Sequence, residues 1–381
     1  MHLMLHRTKR VRPFAVLLSA FAVILILAGC GSTGGTGSSS TTTSGNGGKG
    51  CKKVGILLPE TSSSPRWEAY DHPLLVQSIT AAIPGVHIDY ANAGGSTSVQ
   101  QSQAESDLTH GDCILVVGAH DSSAAAAIVT LAQRQNVPVI AYDRLIQSNS
   151  LNYYVSFDNV KVGDLQGLYI ANHYQSYVSA GHNNIAFIKG SPTDNNAILF
   201  SQGAHEALDP LIASKKLINV YEQYTPNWDP AVGQQEMEAA LTKTSNNIQL
   251  VLASNDDLAG GVVQALKAQH LAGKVLITGQ DATVAGLQRI LEGLQGMTVY
   301  KPIIKEAQAT AQLVAAISNG TSTSTLINGS TKTQGGASIP SVLETPLTVD
   351  KTNIASTVLA DGFVTKAQLC AGVPAGTGGI C

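Results

Sequence analysis

Short apolar runs that end in polar turns recur along this chain. Residues 185–188 are apolar and are followed by Gly190 and a polar turn, after which Asp194 opens a long helical pattern. Apolar runs of this length, bounded by turn residues, predict buried parallel strands. The same design, ending in Asp, Asn or Arg, recurs at 137–144, 250–257 and 275–281. Because open α/β sheets bind ligands at the carboxyl ends of their strands, these four ends predict one polar-lined cleft.

From residue 52 onward, strand and helix patterns alternate. The predicted strands are 52–58, 87–93, 113–119, 137–143, 153–157, 184–189, 218–224, 248–254, 275–279 and 297–300. The predicted helices are 66–83, 97–110, 122–135, 162–179, 195–211, 231–242, 259–270, 284–291 and 303–318. An extended piece, 341–348, and a short helix near 352–359 follow. Alternation of this kind predicts an α/β fold with doubly wound parallel sheets, and two such sets indicate two lobes.

Composition narrows the classes of function. The 381 residues suffice for two domains, and the formal net charge of −3 leaves no basic surplus for nucleic acid or anionic lipid. The chain has no Cys-x-x-Cys or His/Cys metal spacing, no phosphate-cradling loop and no Gly-x-Ser-x-Gly elbow. We therefore expect neither a metal nor a cofactor.

The N-terminus has the pattern of an export signal. Residues 6–12 are basic, residues 14–27 are apolar but short for a membrane span, and Leu27-Ala28-Gly29-Cys30 resembles the bacterial lipobox. The resemblance implies removal of residues 1–29 and a lipid on Cys30, which would anchor the protein to the outer face of the cell membrane. An uncleaved anchor and an ordinary signal peptide are the alternatives. Residues 30–50, mostly Gly, Ser and Thr, predict a flexible tether.

Four cysteines remain after Cys30, and in an oxidising compartment an even number favours disulfides. Three connectivities are possible. Cys51 and Cys113 each begin a predicted strand, and those strands could be neighbours, whereas Cys370 and Cys381 would close the C-terminal tail. We therefore expect the bridges Cys51–Cys113 and Cys370–Cys381.

Seven motifs, in order and with similar spacing, resemble the type I periplasmic sugar-binding proteins of ABC transporters, and among them those that bind D-xylose. The resemblance extends from about residue 52 to residue 363. The motifs are Arg66-Trp67, Ala141-Tyr142-Asp143-Arg144, Phe157-Asp158-Asn159, Ser191-Pro192-Thr193-Asp194-Asn195-Asn196-Ala197, Ala253-Ser254-Asn255-Asp256, Gly279-Gln280-Asp281-Ala282 and Met297-Thr298-Val299-Tyr300-Lys301-Pro302.

The resemblance implies two lobes joined by a three-segment hinge, which close over a sugar. We expect the chain to cross between them near residue 157, near residue 281 and within 344–348. The first lobe would comprise 51–157 plus 282–340, the second 158–281 plus 341–369, and the tail 370–381. The implied function is capture of a monosaccharide, D-xylose or a related aldopyranose, by a monomer that delivers it to an ABC permease.

A specific pyranose site needs aromatic surfaces and convergent polar groups. By resemblance the two tryptophans, Trp67 and Trp228, stack on the sugar from opposite lobes, although a buried core role is the ordinary alternative for either. The other implied contacts are Arg66, Asp143 and Arg144 from the first lobe, and Asn196, Asn255, Asp281 and Lys301 from the second lobe and hinge.

Several neighbouring residues have two interpretations. Asp281 and Lys301 could pair with each other in the empty site, and Asp194 could cap a helix or contact the ligand. Asp158 and Asn159 fit the hinge better than the ligand. His120 and Asp121 depart from the family pattern, as ordinary loop residues or as a sign of a changed sugar preference.

Two other classes of function, glycoside hydrolysis and transcription regulation, fit the sequence less well than binding. Paired carboxylates could hydrolyse glycosides, but the cleft acids accompany Arg, Asn and Lys, which favours ionised, hydrogen-bonded groups over a proton donor. Repressors share the fold but need a DNA-binding helix-turn-helix, where this chain has a signal sequence. We expect a binding protein and not an enzyme; a sensor that presents sugar to a membrane chemoreceptor or kinase is the alternative.

Overall fold

The computed structural model describes residues 47–61 and 64–381. The expected signal peptide, the lipidated Cys30 and the tether up to residue 46 lie outside this part of the chain. Among the described residues, no helix combines the length and the apolar character that crossing a membrane requires.

The first lobe is built on a seven-stranded sheet in the order β11-β12-β5-β4-β3-β1-β2. All neighbouring strands run parallel except β11 and β12. The strands are β1 Lys53–Leu58, β2 His87–Asn92, β3 Ile114–Val117, β4 Val139–Tyr142, β5 Tyr153–Phe157, β11 Gly329–Lys332 and β12 Ser338–Glu344. The helices are α1 His72–Ala82, α2 Thr97–His110, α3 Ala126–Arg134 and α9 Ile303–Asn319, with a π-helical turn at Trp67–Asp71 before α1.

The second lobe has a four-stranded parallel sheet in the order β7-β6-β8-β9, and an antiparallel pair, β10 and β13, continues beside it. Its strands are β6 Asn184–Lys189, β7 Ile218–Tyr224, β8 Leu250–Ala253, β9 Leu276–Ile277, β10 Met297–Tyr300 and β13 Leu347–Asp350. Its helices are α4 Asn159–His173, α5 Asn195–Ala213, α6 Pro230–Lys243, α7 Asp256–Ala268, α8 Val284–Leu291 and α10 Lys366–Cys370.

The apolar runs found in the sequence form the buried strands. Every residue of β3, β4 and β8 is buried, as expected of strands covered by helices on both faces. In the first lobe, α1 and α9 cover one face of the sheet and α2 and α3 cover the other. The polar residues that follow the buried strands are therefore left at the strand ends, where the two lobes meet.

The helices that follow these strands begin at capping residues directly before them in the sequence. The side chain of Asp194 accepts a hydrogen bond from the backbone N–H of Asn196 and caps α5, and Asn255 caps α7 through the N–H of Leu258. Such caps contribute about 1 kcal/mol each and fix where the helix begins. They also fix the position of their own side chains at the edge of the cleft.

The strand pairing corrects two expected lobe boundaries. The chain crosses between the two sheets after Phe157, after Lys301 and between β12 and β13. The second crossing was expected near residue 281, and that expectation is wrong. Val299 bridges to Gln280, which keeps α8 and β10 in the second lobe. Ser341 pairs with Tyr154, which places β12 in the first lobe. The second lobe therefore extends to residue 301 and not 281. The first lobe takes residues 302–344 in place of the expected 282–340, and the chain after residue 344 returns to the second lobe.

Both expected disulfides form in the structure. Cys51 and Cys113 join the starts of β1 and β3, with their Cα atoms 5.5 Å apart. Cys370 and Cys381 close the tail, with Cα atoms 5.3 Å apart. The tail is attached to the second lobe, because the Gln288 side chain of α8 donates hydrogen bonds to the carbonyl oxygens of Leu369 and Ala371 at 3.1 and 3.0 Å.

Candidate ligand-binding site

A small cavity lies between the lobes, at the strand ends. All nine residues expected to contact the ligand line it. They are Arg66, Trp67, Asp143, Arg144, Asn196, Trp228, Asn255, Asp281 and Lys301. The lining also includes residues that the sequence left aside or undecided, namely Ser64, Asp194, Phe200 and Gln280.

Asp143, directly after β4, is the central acceptor of the site. Its Oδ2 accepts hydrogen bonds from Nη1 of Arg66 and Nζ of Lys301, both at 3.0 Å. Asn196 donates to its Oδ1 at 3.1 Å and to its carbonyl oxygen at 3.0 Å. Burial opposes the charge of this carboxylate, but the nearby Arg66 and Lys301 cations hold the pKa of Asp143 well below its usual value. The group is therefore a fixed anion in contact with both lobes.

Two acids behind Arg66 were not recognised in the sequence. Asp71 accepts from Nε and Nη2 of Arg66 at 2.9 and 2.7 Å, and Glu306 of α9 accepts from Nη2 at 3.4 Å. Tyr142 also donates to Asp71, at 2.7 Å. Burial, together with the charge of Asp143, raises the pKa of Glu306 well above its usual value, which favours the neutral form of this carboxyl. These contacts fix the guanidinium plane and leave one edge of it for the cavity side.

A second ion pair spans the cleft. Arg144 of the first lobe places Nε 2.9 Å from Oδ2 of Asp194 in the second lobe, and its Nη2 donates to Glu60 at 2.7 Å. Trp228 donates from Nε1 to the same Asp194 oxygen at 3.1 Å. Asp194 is thus the cap of α5 and also a bridge between the lobes. It lines the cavity, and its contact with the ligand stays a prediction.

The two indoles come from opposite lobes and are almost fully buried, with 1% of Trp67 and 5% of Trp228 exposed. The guanidinium carbons of Arg66 and Arg144 lie 4.6 and 5.1 Å from the Trp67 ring centre, within cation–π range. Trp228 contacts Phe200 edge-on, with ring centres 6.3 Å apart. Both rings are therefore held in one orientation by their neighbours.

Direct contacts close the lobes around the cavity. The backbone N–H of Ser122 donates to the carbonyl oxygen of Thr193 at 2.9 Å, and the N–H of Asn195 donates to Oγ of Ser122 at 3.1 Å. Gln147 donates to the Asn195 side chain at 2.8 Å. The structure therefore shows the closed arrangement.

Three polar atoms of cavity residues have no hydrogen-bond partner within the described part of the chain. They are Oγ of Ser64, Nε1 of Trp67 and Oε1 of Gln280. Leaving buried polar atoms unpaired costs roughly 1–3 kcal/mol each. One hydroxyl can both donate and accept, so a polyhydroxylated ligand matches this mixed set of groups.

Three site residues hold a left-handed backbone, with φ of 58° at Asp143, 56° at Trp228 and 93° at Asp281. Residues other than Gly rarely adopt this conformation, and holding one there costs about 1–3 kcal/mol. The packing of both lobes thus maintains a backbone that directs these side chains toward one cavity.

The neighbouring residues with open interpretations lie around the cavity. Asp158 caps α4, and Asn159 donates to Oδ1 of Asn196 at 2.9 Å, which links the first crossing to the site. His120 is half-buried outside the cavity lining, and its backbone N–H donates a hydrogen bond to Oε1 of Gln100. Burial lowers the pKa of its imidazole ring. Asp121 accepts from two backbone N–H groups of the following turn. Both residues thus have contacts within their own lobe, and their influence on sugar preference stays a hypothesis.

Comparison with known proteins agrees with this geometry. The family model described as a periplasmic binding protein domain matches residues 56–322. The D-xylose-binding periplasmic protein of Haemophilus influenzae is 39% identical over 319 residues, covering 83% of this chain and 92% of that protein. The multiple sugar-binding periplasmic receptor ChvE of Rhizobium radiobacter is 35% identical, covering 83% and 92%.

A solved structure gives the same result. An ABC transporter solute-binding protein from Clostridium phytofermentans with bound β-D-glucose superimposes with a TM-score of 0.75 at 29% identity, covering 84% of this chain and all of that one. The family and these relatives are binding proteins, not enzymes. The chain therefore belongs to the periplasmic binding proteins, as a sugar-binding protein of the type I fold.

Proposed function

We propose that this protein captures one monosaccharide, D-xylose or a closely related aldopyranose, between its closing lobes and delivers it to an ABC permease. The observation that carries the proposal is the cavity itself, in which one indole from each lobe accompanies a ring of buried charged and amide groups. A single sugar ring presents both the hydroxyl groups and the less polar faces that such a lining matches.

The chemistry of the lining suits hydroxyl groups. Arg66, Arg144 and Lys301 donate, Asp143 and Asp281 accept, and Asn196 and Asn255 can do both. Hydrogen bonds to charged partners contribute roughly 1.5–3 kcal/mol each, and more of this is realised when water is excluded. The indoles of Trp67 and Trp228 supply surfaces for the less polar faces of a pyranose.

Delivery depends on a difference between the open and closed forms. A sugar that contacts both lobes binds the closed form better, and this difference in affinity shifts the population toward it. We propose that the permease recognises that closed form. The D-xylose-binding relative supports the choice of sugar, and the solute-binding protein of a transporter supports the choice of partner.

We also propose that the protein acts outside the cytoplasm, tethered to the membrane by lipid on Cys30. The lipobox-like Leu27-Ala28-Gly29-Cys30 and the Gly/Ser/Thr tether support this location. Changing Cys30 to Ser should prevent incorporation of labelled fatty acid and release the protein from membranes. Unchanged labelling of that variant would contradict the anchor.

Calorimetry with a panel of pentoses and hexoses tests the sugar assignment. We expect D-xylose to bind most tightly, and its 2-deoxy analogue to bind far more weakly, because buried groups left without a hydroxyl partner lose their hydrogen bonds. Equal affinity for D-xylose and its deoxy analogue would contradict the proposed contacts. If a hexose bound more tightly, the sugar-binding function would stand, but the hexose and not D-xylose would be the ligand.

A further inference from the structure

Three carboxylates meet in the first lobe, near the amino ends of β1 and β3 and away from the ligand cavity. Asp89 lies on β2, Asp107 lies in the last turn of α2, and Asp112 follows that helix. One oxygen atom from each lies within 4.8 Å of the others. The cluster is separate from the sugar site, whose residues follow the carboxyl ends of the strands.

The backbone around the cluster permits this close approach. Gly111 ends α2 in a left-handed conformation with φ of 90°, which turns the chain so that Asp112 lies beside Asp107. Gly55 of β1 lies beneath them: a Cβ atom there would stand 2.6 Å from Oδ2 of Asp107 and 3.2 Å from Oδ2 of Asp112. A larger residue at position 55 would push both carboxylates away from the sheet.

Two of these acids are buried and have oxygen atoms without a hydrogen-bond partner among the described residues. Asp107 is 7% exposed and Asp112 is 2% exposed. In the described part of the chain, nothing donates a hydrogen bond to Oδ2 of Asp107 or to either oxygen of Asp112. Buried carboxylates are normally paired or bound to a metal, so the unpartnered oxygens call for a cation.

Two basic residues face the cluster, Lys53 and His87, and Nε2 of His87 lies 2.8 Å from Oδ1 of Asp89. Lys53 is the one that contacts two of the acids. Its Nζ lies 2.9 Å from Oδ2 of Asp89 but 3.6 Å from Oδ1 of Asp112, and it also donates to the carbonyl oxygen of His110 at 3.0 Å. One ammonium group cannot neutralise three carboxylates.

We propose that Asp89, Asp107 and Asp112 form a calcium-binding site, which Ca²⁺ enters by displacing the ammonium group of Lys53 toward solvent. Carboxylate and carbonyl oxygens at about 2.3–2.6 Å are the ligands of Ca²⁺. Oxygens separated by up to 4.8 Å fit around one ion at such distances, whereas Mg²⁺, at about 2.0–2.1 Å, requires a tighter cluster.

The surroundings complete the site. The carbonyl oxygen of His110, which Lys53 contacts, is a fourth oxygen ligand once the ammonium group leaves. It belongs to the C-terminal end of α2, where the helix dipole favours a cation. Lys53 is partly exposed, so its side chain can move into water. Because the ion must displace this charge, the site is weak, with a dissociation constant of roughly 0.1–1 mM, the range of extracellular modules.

The test uses the exported chain at pH 8, first treated with a chelator to remove bound ions. CaCl₂ binding is then measured by calorimetry and by thermal unfolding. We expect saturable binding that raises the melting temperature, with MgCl₂ binding more weakly. Lys53→Met should bind Ca²⁺ about tenfold more tightly, because the competing charge is gone. Asp112→Asn should lose saturable binding, and Glu105→Gln, an exposed acid on the same helix, should bind as wild type does.

The outcomes separate a built site from general attraction of cations to an acidic protein. Equal Ca²⁺ affinity in the wild type, Lys53→Met and Asp112→Asn would overturn the proposal, as would absence of binding in both the wild type and Lys53→Met. Asp107→Asn provides a second test of lost binding if Asp112→Asn does not fold. Sugar affinity should be the same with and without Ca²⁺ in every variant, because the cluster and the cavity lie at opposite ends of the sheet.

Discussion

Gly190 supports the indole of Trp228, and adding one methyl group there should disable the sugar site from behind. A Cβ atom at position 190 would lie 2.0 Å from Cη2 of Trp228, with two more indole atoms at 2.3 and 2.4 Å. Carbon atoms attract each other best at about 3.5–4.0 Å, so the ring must shift by roughly 1.5 Å. Gly190→Ala therefore tests the position of the indole without removing it.

The shift should cost affinity through two contacts. The hydrogen bond from Nε1 of Trp228 to Asp194, now 3.1 Å, would lengthen beyond a useful distance. The indole would also lose its fit to the sugar face, a contact of about 0.5–1.5 kcal/mol. We expect Gly190→Ala to weaken sugar binding by about 2 kcal/mol, or roughly 30-fold. Overpacking of the second lobe should also lower the unfolding free energy by about 1–3 kcal/mol.

Calorimetry with the sugar that binds wild type most tightly measures this loss, and Gly118→Ala is the matched control. Gly118 lies beneath the other indole, but a Cβ atom there would keep an ordinary 3.5 Å contact with Cζ3 of Trp67. That variant should bind within about twofold of wild type, since surface complementarity is retained. The variants Gly190→Ala and Gly118→Ala thus differ in whether the added methyl group clashes with an indole.

A double-mutant cycle sharpens the test. Trp228→Ala should weaken binding by about 1–3 kcal/mol, and Gly190→Ala should add nothing in that background, because the atoms it displaces are gone. Wild-type affinity in Gly190→Ala, in a protein whose thermal unfolding shows it to be folded, would refute the role assigned to Trp228. Additive losses would show that Gly190 acts through some other contact.

The remaining predictions concern charge, the disulfides and pH. Asp143→Asn should weaken sugar binding by on the order of 3 kcal/mol in calorimetry, because Arg66 and Lys301 lose their shared anion; wild-type affinity would exclude Asp143 as the central acceptor. Removing the Cys51–Cys113 bridge should lower the unfolding free energy by about 2–4 kcal/mol in urea titrations, and free thiols at both positions in non-reducing peptide maps of wild type would contradict it. Burial raises the pKa of Asp257 to about 7, above its unfolded value, so wild type should lose stability as pH rises from about 4 to 7. Asp257→Asn should lose less stability over this range, since the other buried acids with raised pKa values remain. It should be more stable than wild type at pH 8, by on the order of 2 kcal/mol in the same titrations; identical pH profiles would contradict the shift.

The sequence predicted the elements whose signals are local. Buried strands such as β6 and β8 are continuous apolar runs, which predict strands with polar ends. The individual cavity residues could be named because the motifs at those ends resemble the motifs of a known family. The expected helix 66–83 instead begins as the π-helical turn Trp67–Asp71 before α1, a change of winding that no periodicity at this length would show.

Lobe boundaries depend on pairings between distant strands. Nothing in Ser338–Glu344 distinguishes a strand of the first lobe from one of the second, because only its partner Tyr153–Phe157, far away in the chain, decides. The acids behind Arg66 were missed for the same reason. Asp71 and Glu306 lie in helical segments without any motif, and their role appears only when the fold brings Glu306 to the guanidinium group from 240 residues away.

Lys301 lies one residue before Pro302, where the chain returns to the first lobe, and its ammonium group contacts Asp143 at 3.0 Å. A side chain beside the pivot moves through only a short arc when the lobes swing apart. We therefore expect the contact between Lys301 and Asp143 to survive opening, whereas the pair formed by Arg144 and Asp194 has to separate. The open protein would then keep a preassembled half-site of Arg66, Asp143 and Lys301, and we expect sugar to dock on the first lobe before the second lobe follows.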